Sequence, residues 1–316
     1  MIKEITQEGR HVFKALITKA DQGRTNKNVP YLSLLLSDSS DVMDAKFWNL
    51  TEEQAAYFKA GMVVQVKGDL IYHRNARQMR VLSMSVLEDE LPADYVRQAV
   101  MPRKEMEQEI FRMVEEMENP VIRSLAGSLL KDNLLDFLTY PAAVKNHHNY
   151  VGGLAWHTIS MARLADSVVN LYPFLNRDLL MAGILLHDLG KTIELSSPVL
   201  PEYTANGNLI GHISLMTSLL DREAVRQGVQ DSEEAMLLKH LILSHHGKME
   251  YGSPVLPMIP EAEVLTILDN LDARMVMMKD SVDQTLPGMF GPRVFALDNR
   301  MIYRRKDYVD PDGQED

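Results

Sequence analysis

The apolar positions form two different patterns along the chain. In the first part, short apolar segments alternate with turn-rich stretches such as Asp21–Arg24 and Ser37–Ser40, which predicts a β-rich module. The five predicted strands are Phe13–Thr18, Tyr31–Leu36, Val42–Trp48, Met62–Val66 and Met79–Val86. After Pro102 the period becomes helical, with the first apolar stripe formed by Met106, Ile110, Met113 and Met117. From residue 120 onward every long periodic segment is predicted to be helical.

This change of period predicts two domains of different class. Five short strands suit a small, partly open β-barrel of the OB type, and the remainder suits an all-α domain. We expect the OB-type barrel over residues 1–90, a linker helix over 91–120 and the main helical domain over 121–285. Residues 286–316 form a C-terminal extension whose acidic tail, Asp310–Asp316, is predicted to be disordered.

The composition limits which chemistry and which partners are open to this chain. It contains no cysteine, so any bound metal must be held by nitrogen and oxygen. No apolar run approaches the ~20 residues of a membrane span, and we expect a cytoplasmic protein without a membrane partner. The net charge of −11 disfavours nucleic acid, yet residues 1–80 hold 12 Lys and Arg against 9 Asp and Glu. A modestly basic first domain can therefore still bind a polyanion.

The predicted barrel carries candidates for binding a single strand of nucleic acid. Phe47 and Trp48 are candidates for stacking on bases, and because neighbours on a strand face opposite ways, one of them must point into the barrel. The candidate phosphate contacts are Lys19, Arg24, Lys27, Arg74, Arg77 and Arg80. An ordinary solvated surface explains the same basic residues equally well, so the residues alone leave nucleic-acid binding open.

Side chains of the kinds that bind divalent metals recur through the helical part. They are His157, the dipeptide His187-Asp188, His212, the pair His245-His246 and Asp269. Any one of them taken singly is more simply explained by core packing or by chance. Together they lie at helix ends or on apolar helix faces within one stretch of the chain, which core packing does not readily explain.

Unpaired carboxylates are unfavourable at two of these places. Asp188 is expected in the last turn of a helix that ends at Gly190, where the helix dipole is negative. Asp269 and Asp272 share the apolar face of a helix that starts at Pro260, and burying them without partners would be costly. A bound cation removes both objections. Imidazoles and carboxylates that converge from several helices suit two-metal hydrolysis of a phosphoester.

Five segments resemble the HD superfamily of metal-dependent phosphohydrolases. They are His148–His157, His187–Lys191, Gly211–Ile213, Leu243–Gly247 and Leu268–Arg274. With the OB-like first domain, the whole order is similar to that of the YhaM-type 3′→5′ exoribonucleases over residues 10 to about 280, and His245–Pro254 is the most specific segment. The helical domain over 121–285 is therefore identified as an HD metal-dependent phosphohydrolase domain.

The resemblance implies an activity and a set of residues. It implies an enzyme with two divalent ions, manganese favoured over cobalt, iron or magnesium, that removes nucleoside 5′-monophosphates from the 3′ end of single-stranded RNA and in some members DNA. The implied metal ligands are His157, His187, Asp188, His212, His245, His246 and Asp269. His245 is favoured over its neighbour, with His240 as an alternative one turn earlier. Asp188 would bridge the ions and Lys191 would stabilise charge on the phosphate. The candidate substrate contacts are Trp48, Lys27, Arg74, Arg77, His148 and Arg274.

Two other functions remain open. An HD-type hydrolase of small or cyclic nucleotides would use the same ions, although such a substrate gains nothing from a strand-binding barrel. The Gly252–Pro254 segment also lacks the Gly-Tyr-Pro signature of the cyclic dinucleotide hydrolases. A single-strand-binding protein without turnover is the other alternative, although every ligand position is filled. The sequence leaves open the physiological metal, the RNA targets, RNA versus DNA, the role of residues 286–309 and the oligomeric state, a homo-oligomer included.

Overall fold

The chain forms one all-β unit and one mainly helical unit. A computed structural model describes residues 1–73, 76–144 and 148–309. The first compact unit comprises Met1–Ala99 with Ser197–Leu200, and the second comprises Val100–Ser196 with Pro201–Asp316. The acidic tail that the sequence predicts to be disordered lies outside the described residues. Within the described ranges, no helix is both long and apolar enough to cross a bilayer.

Five strands form a closed barrel in the first unit. They are β1 (Gly9–Arg24), β2 (Pro30–Ser37), β3 (Val42–Phe47), β4 (Val63–His73) and β5 (Ala76–Val86). β1 pairs antiparallel with β2 and with β4, β2 pairs with β3, and β4 pairs with β5. β3 runs parallel to β5 and closes the sheet in the order β1-β2-β3-β5-β4, the order of an OB fold. The predicted fold of this unit is confirmed.

The barrel interior is filled by alternate residues of each strand. Leu32, Leu34 and Leu36 point inward from β2 and are almost fully buried, as the period of two predicts. β1 is longer than predicted because its first half pairs with β4 and its second half with β2, across a register shift between Ile17 and Lys19. The sequence pattern marks only the apolar middle of such a strand, since both ends are largely exposed.

A short helix, α1 (Glu52–Tyr57), connects β3 and β4. It begins at Thr51, whose hydroxyl accepts a hydrogen bond from the amide of Gln54, while the Gln54 side chain accepts one from the Thr51 amide. This reciprocal cap satisfies two amides that the first turn of a helix leaves without partners. The boundary between strand and helix is thus set by local sequence.

The second unit contains ten helices and a small hairpin within the described ranges. The helices are α2 (Arg103–Glu115), α3 (Pro120–Asp132), α4 (Leu134–Thr139), α5 (Gly153–Leu171), α6 (Arg177–Leu186), α7 (Lys191–Glu194), α8 (Ala205–Ile210), α9 (His212–Gln227), α10 (Glu233–Ser244) and α11 (Pro260–Asp283). The hairpin strands are β6 (Phe290–Val294) and β7 (Arg300–Tyr303). Short 3₁₀ turns occur in the first unit at Ile2–Glu4 and Pro92–Tyr95, and in the second unit at Met249–Tyr251 and Phe295–Leu297.

Helix α6 lies at the centre of this unit. Every residue from Leu179 to Leu186 is buried, so the helix is covered on all sides, as its continuous apolar run requires. Gly183 permits close packing on α10, since a side chain there would collide with Leu241. Helix α2, expected to be a linker, also belongs to this packing: Met106 and Ile110 are buried and the helix contacts α3 and α5. The helices converge on the end of α6.

Candidate metal centre

Five helices bring the predicted metal-binding side chains together. They supply His157 from α5, His187 and Asp188 from the end of α6, His212 from the start of α9, His245 and His246 from the end of α10, and Asp269 from α11. The structure therefore places all seven side chains in one region, although their role as metal ligands stays a prediction. His240, the alternative ligand, has a different partner. Its Nε2 accepts a hydrogen bond of 2.9 Å from the amide of Met258, which anchors the loop after α10.

The end of α6 differs from the prediction, and the difference positions Asp188. The helix ends at Leu186 instead of Gly190. The chain leaves it through a tight turn in which the Leu189 amide donates to Leu186 O at 3.1 Å and the Lys191 amide donates to Asp188 O at 2.9 Å. Gly190 is required here, because a side chain would collide with the carbonyl of His212. The turn thereby lets the start of α9 approach the Asp188 carboxylate.

The donor atoms form two groups with Asp188 between them. In each group the three ligand atoms lie within 4.8 Å of one another, and the groups are His157, His187 and Asp269, and His212, His245 and His246. Asp188 Oδ2 lies 3.3 Å from His187 Nε2. Asp188 Oδ1 lies 3.5 Å from His212 Nε2 and 3.7 Å from His245 Nε2. One carboxylate thus presents one oxygen to each group, which is the arrangement a bridging ligand needs.

Hydrogen bonds at the outer nitrogen fix how each imidazole faces the centre. Every one of the five histidines directs Nδ1 at an oxygen that can only accept. The acceptors are Asp272 Oδ2 for His157 at 2.7 Å, Ile184 O for His187 at 2.8 Å, Glu194 Oε1 for His212 at 3.1 Å, Ile242 O for His245 at 2.7 Å and Tyr251 O for His246 at 2.7 Å. Nδ1 must carry the proton, so in the neutral ring Nε2 presents its lone pair to the centre. His246 is oriented in the same way, but His245 is fully buried and its Nε2 lies 3.7 Å from Asp188 Oδ1, which supports the preference for His245 as a ligand. The role of either histidine stays a prediction.

Several of the nitrogen and oxygen atoms that face the centre make no hydrogen bond. His187 Nε2, Asp188 Oδ1, His212 Nε2 and His245 Nε2 are buried and make no hydrogen bond within the described part of the chain. Buried polar atoms are normally paired, because leaving one unpaired costs free energy. Four such atoms at one point fit cation binding, and nitrogen with carboxylate oxygen is a donor set for divalent transition metals. The residues therefore fit the divalent metal that the sequence implies.

A buried ion pair adds to the charge of the centre. Lys191 Nζ donates to Asp188 Oδ2 at 2.6 Å. Burial by itself would raise the pKa of Asp188, but Lys191 and His187 outweigh it and hold that pKa well below its ordinary value. Burial likewise opposes charge on Lys191, and the carboxylate outweighs it and raises the lysine pKa. Asp188 is thus an anion and Lys191 a cation at neutral pH.

A second carboxylate acts behind His157. Asp272 Oδ2 accepts from His157 Nδ1 and from His148 Nε2, both at 2.7 Å, and Tyr150 contacts His148 Nδ1 at 2.7 Å. Burial opposes protonation of His157, yet Asp269 and Asp272 raise its pKa to about 9. The pKa of Asp272 falls to about 2, because the two histidines outweigh the effect of burial. This side of the centre therefore strongly favours positive charge.

The predicted substrate contacts are placed unevenly. Trp48 is 40% exposed and its neighbour Phe47 points into the barrel, so one of the pair faces inward as expected. Lys27 is exposed in the β1–β2 connection. Arg77 donates to the carbonyls of Ile2 and Ile5 and to Asp41, which engages it in holding the N-terminal turn. Arg74 lies outside the described residues.

The other two candidates lie in the helical unit. His148 is buried, and its ring nitrogens contact Asp272 and Tyr150, so it is placed to support His157 from behind. Arg274 donates to Asp298 at 2.9 Å, in the segment between β6 and β7. Both side chains are thus engaged by other groups of the helical unit.

Sequence reasoning missed three residues that the geometry brings forward. Glu194 accepts from both the amide and the ring of His212, and Asp272 was noted for its burial without a role. On the barrel, Tyr31 packs against Trp48 with ring centroids 4.5 Å apart. Alternation alone could have placed Tyr31 on the outer face, but no local pattern links Glu194 with a histidine 18 residues later.

The helical geometry agrees with a known family. Residues 154–274 match the HD domain. The match covers all seven candidate ligands, and an HD domain supports a metal-dependent hydrolase. The boundaries of the match begin within α5 and end within α11, the first and last helices that contribute to the centre.

The barrel is similar to small solved structures, over a quarter of the chain. The protein PriB from Ralstonia solanacearum is 17% identical, with 25% of this chain and 98% of that chain covered and a TM-score of 0.23. The second OB-fold domain of replication protein A from Methanococcus maripaludis is 20% identical, with coverage of 29% and 96% and a TM-score of 0.24. The single-stranded DNA binding protein from Thermus aquaticus is 17% identical, with coverage of 26% and 41% and a TM-score of 0.23. The assignment of the barrel rests on its own strand pairing.

Proposed function

We propose that this protein is a metal-dependent 3′→5′ exoribonuclease that degrades single-stranded RNA, and DNA as a second substrate, to nucleoside 5′-monophosphates. The observation that carries the proposal is the combination, in one chain, of a buried histidine and aspartate centre in an HD domain with an OB-type barrel that carries exposed aromatic and basic side chains. The direction of cleavage follows from the resemblance of the motifs to the YhaM-type enzymes.

The centre offers places for two divalent ions. One would be held by His157, His187 and Asp269, and the other by His212 with the pair His245-His246. Asp188 would contribute to both, since its two oxygens face different groups. When bound, divalent ions supply Lewis acidity, which lowers the pKa of water and neutralises charge on a phosphate. Imidazole and carboxylate together suit manganese, iron or cobalt, and we favour manganese.

The chain's own groups hold this centre ready for the reaction. Lys191 Nζ pairs with Asp188 Oδ2, which fixes the carboxylate so that Oδ1 faces His212 and His245. Because Lys191 is charged and buried beside the centre, it is also placed to attract a phosphate. The chain needs no nucleophilic side chain for hydrolysis by water.

On the barrel, a group of outward side chains supports binding of a single strand. Tyr31 and Trp48 pack together at 33° between ring planes, and Lys46 Nζ lies 5.6 Å from the Tyr31 ring centroid. Lys46 is opposite Arg80 in the β3–β5 pairing, and Arg80 also pairs with Asp69 at 3.1 Å, so two basic side chains lie side by side on the sheet. Aromatic rings accept stacked bases, and neighbouring cations attract the phosphate backbone. We name Tyr31, Trp48, Lys46 and Arg80 the barrel face.

The test is a time course of metal-stripped protein on 5′-labelled single-stranded RNA, with and without Mn²⁺. We expect a ladder that shortens by one nucleotide at a time only when Mn²⁺ is present, and release of nucleoside 5′-monophosphates. A 3′-terminal phosphate or a duplex end on the RNA should slow the reaction, because the attack begins at a free single-stranded 3′ end.

Two matched variants show whether the activity comes from the candidate metal centre or from another component of the protein preparation. Asp188→Ala should remove the activity, whereas Asp231→Ala, which changes an exposed acid of the same unit, should retain it. An RNA band that stays intact with Mn²⁺ while the RNA remains bound would contradict the exonuclease proposal. It would favour a binding protein or a hydrolase of small nucleotides instead.

A further inference from the structure

The loop that follows His246 is closed by its own backbone. Gly247 and Gly252 adopt positive φ angles of 73° and 101°, which favour glycine. Between them, the carbonyl of Lys248 accepts hydrogen bonds from the amides of Tyr251 at 3.0 Å and Ser253 at 3.3 Å. The segment from Gly247 to Ser253 is therefore a compact turn.

Two hydrogen bonds attach this turn to the candidate centre. The amide of His246 donates to Ser253 Oγ at 3.1 Å, and His246 Nδ1 donates to Tyr251 O at 2.7 Å. Ser253 is only 1% exposed, so the turn is anchored by a buried side chain at its far end. Because the carbonyl of Tyr251 accepts from the His246 ring, the backbone of residue 251 lies beside a candidate ligand of the centre.

The turn nevertheless exposes a large aromatic side chain. Tyr251 is 58% exposed, and Lys248 Nζ lies 5.3 Å from the centroid of its ring. The lysine side chain is itself 61% exposed, and its Nζ lies 3.6 Å from Glu250 Oε1, an exposed ion pair of the kind that contributes little. An exposed aromatic ring on a closed turn, with an ammonium group beside it, presents a stacking surface together with a group that can exchange its carboxylate partner for a phosphate. Neither group contributes to the packing of the core.

We propose that Tyr251 and Lys248 form a nucleotide subsite beside the centre, in which the ring stacks on the base and the ammonium group attracts the phosphate. The subsite deepens the proposed function, on which it rests, because it would hold the terminal nucleotide whose phosphodiester is cleaved. Stacking uses the face of any base, so the subsite accepts all four bases with little preference. It also provides a contact to the substrate that does not depend on the barrel face.

The test measures binding of two small probes to the full-length protein with Mn²⁺ present, by isothermal titration calorimetry. Adenosine 5′-monophosphate carries a base, and ribose 5-phosphate carries the same sugar phosphate without one. Wild type should bind the nucleotide about tenfold more tightly than ribose 5-phosphate, since one stacked base contributes affinity of this order. Tyr251→Ala should remove that difference, and Tyr251→Phe should retain it, because stacking needs the ring and not the hydroxyl.

The controls make each outcome decisive. Tyr172→Ala changes a tyrosine of similar exposure, 52%, at the end of α5 and should leave both affinities unchanged. Bound Mn²⁺ should be the same in Tyr251→Ala as in wild type, because the hydrogen bond to His246 uses the main-chain oxygen of residue 251. Equal affinity of wild type for the two probes, or unchanged discrimination in Tyr251→Ala, would overturn the subsite.

Calorimetry together with the RNA time course distinguishes failure of the subsite from failure of the proposed function. A wild-type protein that discriminates between the probes but does not shorten RNA retains the subsite and loses the exonuclease assignment. A protein that shortens RNA but binds both probes equally retains the exonuclease assignment and loses the subsite. The two proposals therefore stand or fall on separate measurements.

Discussion

The two units of this protein treat polar side chains in opposite ways. Among the described residues of the barrel unit, Ser37 is the one polar side chain that is buried, and ion pairs such as Arg10 with Asp69 lie at the surface. The helical unit buries four histidines and five acids within the described ranges. Polar groups can be taken out of water only where partners are supplied, and all of these side chains except Glu223 and Glu261 lie at or beside the candidate metal centre.

The difference in burial predicts a different response to substitution in each unit. Side chains on the surface of a closed sheet each contribute modestly and can be changed without disturbing the apolar interior. Side chains buried around the end of α6 depend on one another, because hydrogen bonds from neighbouring groups orient the imidazoles. Asp272 orients His157, and Glu194 orients His212. We therefore expect substitutions on the barrel face to change affinity by degrees, and substitutions at the centre to remove the reaction.

The strongest test of this separation is Asp188→Ala. We expect turnover to fall by about 1000-fold, because both groups of donors lose their shared carboxylate and several kcal/mol of transition-state stabilisation are lost with it. The affinity for single-stranded RNA, measured by filter binding, should stay within about twofold of wild type because the barrel face is unchanged. If affinity and turnover fell together, the two units would not be separable in this way.

A second test concerns Glu194, which is neither a predicted metal ligand nor a predicted substrate contact. Glu194→Ala removes the acceptor for the ring and the amide of His212, and we expect Mn²⁺ affinity to fall by about 10- to 100-fold. Glu194→Gln is the matched control, since its amide oxygen can still accept, and it should lose much less. Calorimetric titration with Mn²⁺ measures both. Equal losses in the two variants would mean that the charge of Glu194, and not its hydrogen bonds, supports the centre.

Substitution of the aromatic pair on the barrel, Tyr31 and Trp48, should have a smaller effect, and this effect should be on RNA affinity and not on turnover. Tyr31→Ala and Trp48→Ala should each weaken RNA binding by about tenfold, since each removes a stacking surface. The turnover number at saturating RNA should not change. Tyr57→Ala, which removes a 53% exposed tyrosine of α1 in the same unit, serves as the control and should have no effect. A lower turnover number in Tyr31→Ala would contradict the division between the two units.

The smallest expected effect concerns the cations of the barrel face. Lys46→Gln should lower RNA affinity a few-fold and reduce the slope of log affinity against log salt by about 0.7, as expected when one contact to a single-strand phosphate is lost. Lys59→Gln, which changes an exposed lysine elsewhere in this unit, should leave the slope unchanged. Binding isotherms at several salt concentrations provide the measurement. An unchanged slope in Lys46→Gln would remove this lysine from the barrel face.

Much of the architecture could be predicted because local pattern determines it. Segments of β-leaning residues between turn-rich stretches predicted part of each of the five barrel strands, and helical periodicity predicted α5, α6, α10 and α11. The ends of β1 and β4 could not be predicted in the same way, since exposed residues there pair through backbone groups that have no sequence signature. The β6–β7 hairpin was not predicted either, because its side chains are largely exposed and show no alternation.

The sequence alone determined which side chains could bind metal and in what order they occur, because residue type fixes the chemistry of a donor. Only the tertiary structure decided which nitrogen of His157 and of His212 faces inward, since their acceptors are Asp272, 115 residues away, and Glu194, 18 residues away. It also decided that Asp188 presents its two oxygens to different groups and that Tyr31 lies beside Trp48. These relations join residues distant in the chain, and no periodicity within a segment can encode them.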